Sequence, residues 1–151
     1  MPDLVLFQPD IPGNTGTLMR LAACTATTLH IVEPAGFRLD DTALKRAGMD
    51  YLEIAAIARH IDWDAFEAWR ERSGRRLVLM STSAGTGLWD FTFRAGDLVM
   101  LGRESGGVPP KVHEAADCRL KIAMASGARS LNVALAGAMA LGEALRQTAN
   151  G

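Results

Sequence analysis

With 151 residues, 48% of them hydrophobic, the chain is the size of one globular domain with a sizeable core. Its formal net charge of −1 gives no general attraction to polyanions, so a nucleic-acid partner would have to meet a local cluster of basic side chains. No apolar run reaches the ~18 residues of a membrane span, and MPDLVLFQPD opens straight into a strand pattern without the basic stretch of a signal peptide, so a cytoplasmic protein is expected.

In chain order, residues 3–8 (DLVLFQ) read as a short buried strand stopped by Pro9 and Pro12. Asn14 to Thr27 reads as a helix with Leu18, Leu21, Ala22 and Thr25 on one face, and Leu29 to Pro34 as a second strand. Asp40 and Asp41 are placed to cap a short helix through Lys45 and Arg46, closed by Gly48. Leu52 to Ala58 is a strand candidate whose alanines also permit helix. Asp62 to Glu71 is helical, with Trp63, Phe66 and Trp69 spaced to bury one edge. Arg76 to Thr82 is the clearest central strand, ending in the small polar loop SAGTG. Then come a strand at Leu98 to Leu101, the loop LGRESGGVP (Leu101 to Pro109), and a short helix near Pro110 to Ala116. A strand at Leu120 to Met124, the loop RSLNVA (Arg129 to Ala134) and a long helix from Leu131 to Gln147 complete the chain. Strand and helix alternate throughout, so the expected class is α/β with a mostly parallel sheet flanked by helices.

The glycines match neither GxGxxG after the first strand nor GxxxxGK[ST], which excludes the usual nucleotide fingerprints. GRESGG is superficially similar to the serine-protease string GDSGG, but no upstream His–Asp pair accompanies it. His30, His60 and His113 are scattered, without Cys or carboxylate partners at metal-ligand offsets, so no metal is expected. Cys24 and Cys118 are too few for a disulfide scaffold, and their apolar neighbours predict reduced, buried thiols.

What remains are two ligand-type loops at consecutive strand ends, where open α/β sheets bind their ligands. Gly102, Gly106 and Gly107 free the backbone of the first loop for a tight turn or a close ligand approach. Glu104 lies inside it. In the second, Ser130 sits where an N-cap belongs and Asn132 falls in the first turn of an otherwise apolar helix. The positive end of that helix suits a carboxylate or phosphate. Gly137 and Gly142 smooth the same helix for core packing or self-association. Arg20, six residues after Asn14, emerges beside an apolar face of the first helix.

Together NTGTLMR (Asn14 to Arg20), LGRESGGVP and RSLNVA resemble, in order and spacing, the three motifs of the SPOUT methyltransferases, the trefoil-knotted class. The likeness runs over essentially the whole chain, 1–151, as one domain. LHIVEPAGF (Leu29 to Phe37) and LKRAGMDY (Leu44 to Tyr51) look like the small single-domain tRNA 2′-O-methyltransferase branch, the TrmL type. One departure stands at Gly106, where relatives often have Arg (ETRGLP); Arg103 could supply the loop's positive charge instead.

The resemblance implies a C-terminal trefoil knot, a homodimer and S-adenosyl-L-methionine held by Met80, Gly102, Ile122 and Ser130. Glu104 would order the cofactor loop, and Asn132 would hold the cofactor tail and the acceptor. It nominates Arg20 at the acceptor hydroxyl, with Asn14 positioning that arginine or the ribose. The implied reaction is 2′-O-methylation of the wobble nucleotide (cytidine or 5-carboxymethylaminomethyluridine 34) in the anticodon loop of tRNA-Leu. Another tRNA position, an rRNA ribose, or a binding module without chemistry are the alternatives. Basic candidates for RNA contact are Lys45, Arg46 and Arg129, with Arg38, Arg72, Arg75 and Arg76.

Overall fold

The computed structural model describes residues 1–39, 42–48 and 54–149. The expected cap at Asp40 and Asp41, the end of LKRAGMDY, and Leu52 and Glu53 lie outside these. Among the described residues seven strands form one sheet: β1 (Asp3–Phe7), β2 (Leu29–Val32), β3 (Ile57–His60), β4 (Leu77–Met80), β5 (Thr86–Gly87), β6 (Leu98–Leu101) and β7 (Cys118–Lys121). Their spatial order is β3-β2-β1-β6-β4-β7-β5, and each neighbouring pair is parallel. Five helices cover the sheet: α1 (Pro12–Cys24), α2 (Thr42–Gly48), α3 (Trp63–Ser73), α4 (Pro110–Ala115) and α5 (Val133–Thr148). The α/β expectation with flanking helices holds.

Successive strand residues point to opposite faces, and in a parallel sheet both faces are buried. In β1, Leu4 and Leu6 therefore join one cluster with Leu18, Met19, Leu44 and Leu141 from α1, α2 and α5. Val5 and Phe7 join the other, with Trp63 and Phe66 of α3 and Val112 of α4. This double burial makes β1, β2, β4 and β6 near-continuous apolar runs. The predicted aromatic edge of α3 is real: Trp63 and Phe66 are buried and Trp69 packs beside them. Asp62 caps α3 by accepting from the Ala65 N–H at 2.8 Å, and Gly74, at φ +67°, closes it.

Four expectations shift. The strand expected at Leu52 to Ala58 runs instead from Ile57 to His60, in register with Leu29 to Val32. The strand expected at Leu120 to Met124 starts at Cys118 and stops at Lys121. Arg119 fits within it because its guanidinium donates to the carbonyls of His113 and Glu114 at the end of α4. The SAGTG loop contains the two-residue edge strand β5, followed by a 3₁₀ turn at Leu88–Asp90. Cys24 is exposed and Cys118 half-buried, so neither is a fully buried thiol. Among the described residues no helix is long and apolar enough to cross a membrane.

Ion pairs hold the amino ends of the strands. Arg75 donates to Asp3 at 2.6 Å, and Arg76 grips Asp97 through Nε (2.8 Å) and Nη2 (2.6 Å). These two arginines, expected among the RNA contacts, are structural and stand at the end of the sheet away from both ligand-type loops. Their charges are already matched by partly or fully buried carboxylates.

On the α3 face, buried His30 lies 3.0 Å from His60, Nδ1 to Nε2, and both rings pack against Phe66 and Trp69. Burial and the neighbouring His30 lower the His60 pKa below its usual 6.5. The folded state therefore binds fewer protons here than the unfolded chain, and stability falls as pH drops through about 6.5. Urea midpoints at pH 7.5 and 5.5 should show a loss in the native protein that shrinks in His60→Gln; equal losses would remove His60 as its source.

Candidate active site

All seven strands run the same way, so their carboxyl ends meet at one edge. There, loops following β4, β6 and β7 and the start of α5 enclose a cleft of about 430 Å³, within the range of small-molecule sites. Leu79, Met80, Leu120 and Ile122 give it apolar walls, while Gly102, Glu104 and Ser130 bring polar or main-chain atoms. Every residue expected to hold a cofactor lines it except Asn132. An apolar slot with a polar rim suits a nucleoside carrying a charged tail.

The Glu104 loop is closed by a reciprocal main-chain pair. The Arg103 N–H donates to Gly107 O at 3.0 Å, and the Gly107 N–H to Arg103 O at 2.9 Å. Gly107 adopts φ +63°, and a Cβ on Gly102 would stand 2.7 Å from Gly107 Cα. Gly102 is thus required first by the loop's own backbone, and only through that by a ligand. Gly106 has open space where a Cβ would stand, so nothing in the backbone's surroundings requires glycine there. Arg103 folds back to Gly107 O and to Gln8 Oε1 (3.3 Å) and sits over the Phe7 ring, which makes it a staple of the loop. Gly102→Ala should push this loop aside at a cost of about 1–3 kcal/mol and weaken ligand binding in the cleft. Native-like melting and native-like binding by calorimetry would contradict that.

Asn14, Glu104 and Asn132, from three distant segments, form one hydrogen-bonded chain. Asn132 Nδ2 donates to Asn14 Oδ1 at 3.1 Å, and Asn14 Nδ2 reaches Glu104 Oε1 at 3.5 Å, the longest link. The Asp10 N–H donates to Glu104 Oε2 at 2.9 Å, and Ser105 Oγ donates to Asp10 Oδ2. Burial and the facing Asp10 carboxyl raise the Glu104 pKa above its ordinary value. The contacts with Glu104 and Ser105 lower that of Asp10. Glu104 is the member of the pair that more readily holds a proton.

Asn132, not Ser130, is the N-cap of α5: its Oδ1 accepts from the N–H groups of Ala134 (2.8 Å) and Leu135 (3.3 Å). Both expectations for these residues change. Ser130 is left exposed on the cleft lining, and the polar Asn is explained by capping and by its grip on Asn14 together. Arg20 stands exposed on α1 and does not line the cleft; Lys45, Arg46 and Arg129 are exposed as well.

Sequence reasoning missed Asp10 and His113. His113 of α4 lines the cleft with its Nε2 3.4 Å from Ser83 Oγ, and no sequence spacing signals that pairing across thirty positions. Among the described residues no group of three His, Cys, Asp or Glu could hold a metal ion.

Comparison with known proteins places these features. The profile of the SpoU rRNA Methylase family matches residues 2–142. A tRNA (cytidine(34)-2'-O)-methyltransferase of Ancylobacter novellus is 59% identical over 145 residues, covering 96% of this chain and 92% of the relative. One from Beijerinckia indica subsp. indica is 55% identical over 144 residues, covering 95% and 90%. A structure solved to address 2-OH methylation of C/U34 on tRNA superposes with a TM-score of 0.94 at 39% identity, covering 100% of this chain and 98% of that one. The SpoU methyltransferase AviRb of Streptomyces viridochromogenes, solved with AdoMet, gives 0.89 at 26% identity, covering 100% and 61%.

Proposed function

The chain belongs to the SpoU rRNA methylase family, and from that premise we propose that it methylates the ribose 2′-hydroxyl of nucleotide 34 in tRNA, with S-adenosyl-L-methionine as donor. The two relatives named for cytidine 34 support the target, and the AdoMet-bound relative supports the donor. One observation carries the reading: Asn14, Glu104 and Asn132 meet in a single hydrogen-bonded chain at the rim of a nucleoside-sized cleft.

When bound, the donor supplies a methyl group already activated on a positively charged sulfur, so no metal ion is called for. Met80 and Ile122 offer apolar walls to its adenine, and the Gly102 main chain closes the strand end. Ser130 and the amino end of α5 suit its charged tail. The Asn14–Glu104–Asn132 chain fixes the rim where the ribose enters, and such positioning can lower a barrier by up to ~7–11 kcal/mol. An arginine stays protonated at neutral pH. Arg20 therefore grips the acceptor's phosphate through two N–H groups and orients it, and that phosphate takes the hydroxyl proton. Arg20 does not line the cleft of its own copy, so this role fits a homodimer in which a second copy presents it. Exposed Leu135, Ala138 and Gly142 form one stripe along α5 suited to that contact. Gly137 instead faces inward, where a Cβ would meet Leu101 and Leu18.

The whole chain, 1–151, acts in this reading as one cytoplasmic domain with a C-terminal trefoil knot. Lys45, Arg46 and Arg129 meet the anticodon loop of tRNA-Leu isoacceptors. Incubation with methyl-labelled donor and unfractionated tRNA should place label in the 2′-O-methyl group of nucleotide 34 of leucine tRNAs. Label confined to another tRNA position or to rRNA would move the target, and RNA binding without label would leave a binding module.

A further inference from the structure

The cleft occupies one half of the sheet's carboxyl edge, and the other half carries a second recess. The ends of β2 and β3 and the segment after them bound a space of about 450 Å³, lined by Glu33, Pro34, Phe37, Arg38, Leu39 and Arg59. Arg59 stands opposite Ile31 in the strand register and so projects from the sheet face covered by α1 and α2. Among the described residues, Arg38 and Arg59 are the two cations of its lining, and Glu33 is its one carboxylate. The lining therefore carries an excess of positive charge on a chain whose formal net charge is −1.

Arg59 is held in a fixed orientation. Its Nη2 donates to Glu33 Oε1 at 2.8 Å and its Nε to Glu33 Oε2 at 3.3 Å, yet the side chain remains 57% exposed. The carboxylate sets the guanidinium plane and leaves one flat face and the Nη1 hydrogens for a ligand. Two bonds to one carboxylate remove most of the rotamer freedom that a free arginine would lose on binding. A planar cation of this kind stacks on a nucleobase, which a compact ammonium does not do.

The segment that bounds the recess is tied to the cleft rim through Asp10. The Gly36 N–H donates to Pro9 O at 2.8 Å, and Gly36 lies so close to Asp10 that a Cβ there would stand 2.8 Å from Asp10 Cβ. Asp10 in turn reaches Glu104 on the cleft rim. Asp10 thus links the segment after β2, beside the recess, to the Glu104 loop of the cleft, a short separation suited to successive nucleotides of a splayed single strand.

We propose that this recess binds the nucleotide adjoining the one methylated, with its base stacked on the Glu33-pinned guanidinium of Arg59 and its phosphate beside Arg38. The proposal rests on the reading of the cleft as an RNA methylation site. It makes Arg59 and Glu33 determinants of RNA choice, with no part in donor binding.

The test uses full-length leucine tRNA prepared with nucleotide 34 intact and an abasic residue at position 33 or at position 35. Single-turnover methyl transfer is measured with the native protein, Arg59→Met and Glu33→Gln, and donor affinity with S-adenosylhomocysteine. One of the two abasic tRNAs should cost the native protein roughly 5- to 100-fold, the span of base stacking on a side chain. With Arg59→Met the intact tRNA should lose a similar factor and the abasic residue should cost less than about 2-fold more, with donor affinity unchanged. Glu33→Gln should fall between. Equal abasic penalties in native and Arg59→Met proteins, or no penalty in the native protein, would overturn the proposal. If the native protein leaves nucleotide 34 of every tRNA unmethylated, the functional reading fails separately. Fluorescence anisotropy on the same RNAs then reads the recess by the same comparison.

Discussion

Arg20→Ala should cut methyl transfer to tRNA by about 100- to 1,000-fold, the usual cost of removing one preorganised charged group from a transition state. Its affinity for S-adenosylhomocysteine should stay within about 2-fold of native, because Arg20 does not line the cleft that suits the donor. Arg20→Lys should recover only part of the rate: lysine restores the charge but not the two parallel N–H bonds that hold a phosphate in one orientation. Single-turnover assays with saturating donor separate this from a binding defect. Normal turnover by Arg20→Ala would remove the residue from the reaction and leave orientation of the ribose to the Asn14–Glu104–Asn132 chain.

The largest expected loss of stability is at the opposite end of the sheet. Asp97 is fully buried and takes both Nε and Nη2 of Arg76, plus the Arg94 N–H at 2.8 Å. In Asp97→Ala the Arg76 guanidinium, only 18% exposed, would keep its charge and lose the carboxylate bonded to it. Breaking a buried pair from one side costs about 3–5 kcal/mol, which at this size lowers Tm by roughly 6–20 °C. Thermal unfolding followed by circular dichroism measures it. Arg76→Met with Asp97→Asn should lose less than Asp97→Ala alone, since neither charge then remains stranded. Because the cleft lies at the far ends of the strands, donor affinity at 20 °C should be near native in each variant that remains folded. A Tm within 2 °C of native for Asp97→Ala would show that water or neighbouring carbonyls already satisfy Arg76.

Between these two ends, sequence and structure part company in an ordered way. The strands with apolar side chains on both faces (LVLF, LVLM, LVML) were plain, since burial on two sides leaves no polar position to confuse the pattern, and LHIV departs from it only at His30. Strands β3, β5 and β7, at or next to the sheet's edges, were not plain. β3 carries Arg59 and His60, whose partners are Glu33, just past the neighbouring strand β2, and His30 within it. β7 carries Arg119, whose partners are carbonyls of α4. A polar residue looks like a strand breaker until its partner is known, and these partners are set by the packing of the neighbouring strand or helix. β5 is two residues long and exists only as an addition to β7.

The candidate site divides the same way. Its residue types were readable, because a ligand loop at a strand end needs small and short polar residues whatever the tertiary detail. Met80, Gly102, Glu104, Ile122 and Ser130 do share one cleft. Roles were less readable: Gly102 is small because Gly107 lies against it, and Asn132 caps α5 while holding Asn14. Asp10 was passed over because a lone acid between two prolines carries no signal until Glu104, 94 positions away, is brought to it.

Local chain chemistry sufficed for the α/β class, for most helices and central strands, and for singling out the three segments that meet at the cleft rim, since each of these depends on side chains within a few positions of one another. Folding alone settled which polar side chains meet. Asn14 with Asn132, Asp10 with Glu104, and Arg76 with Asp97 are contacts between segments 21 to 118 positions apart. A charge's partner sets whether it braces the fold or faces a ligand, and that partner is chosen by the crossing of strands through the sheet.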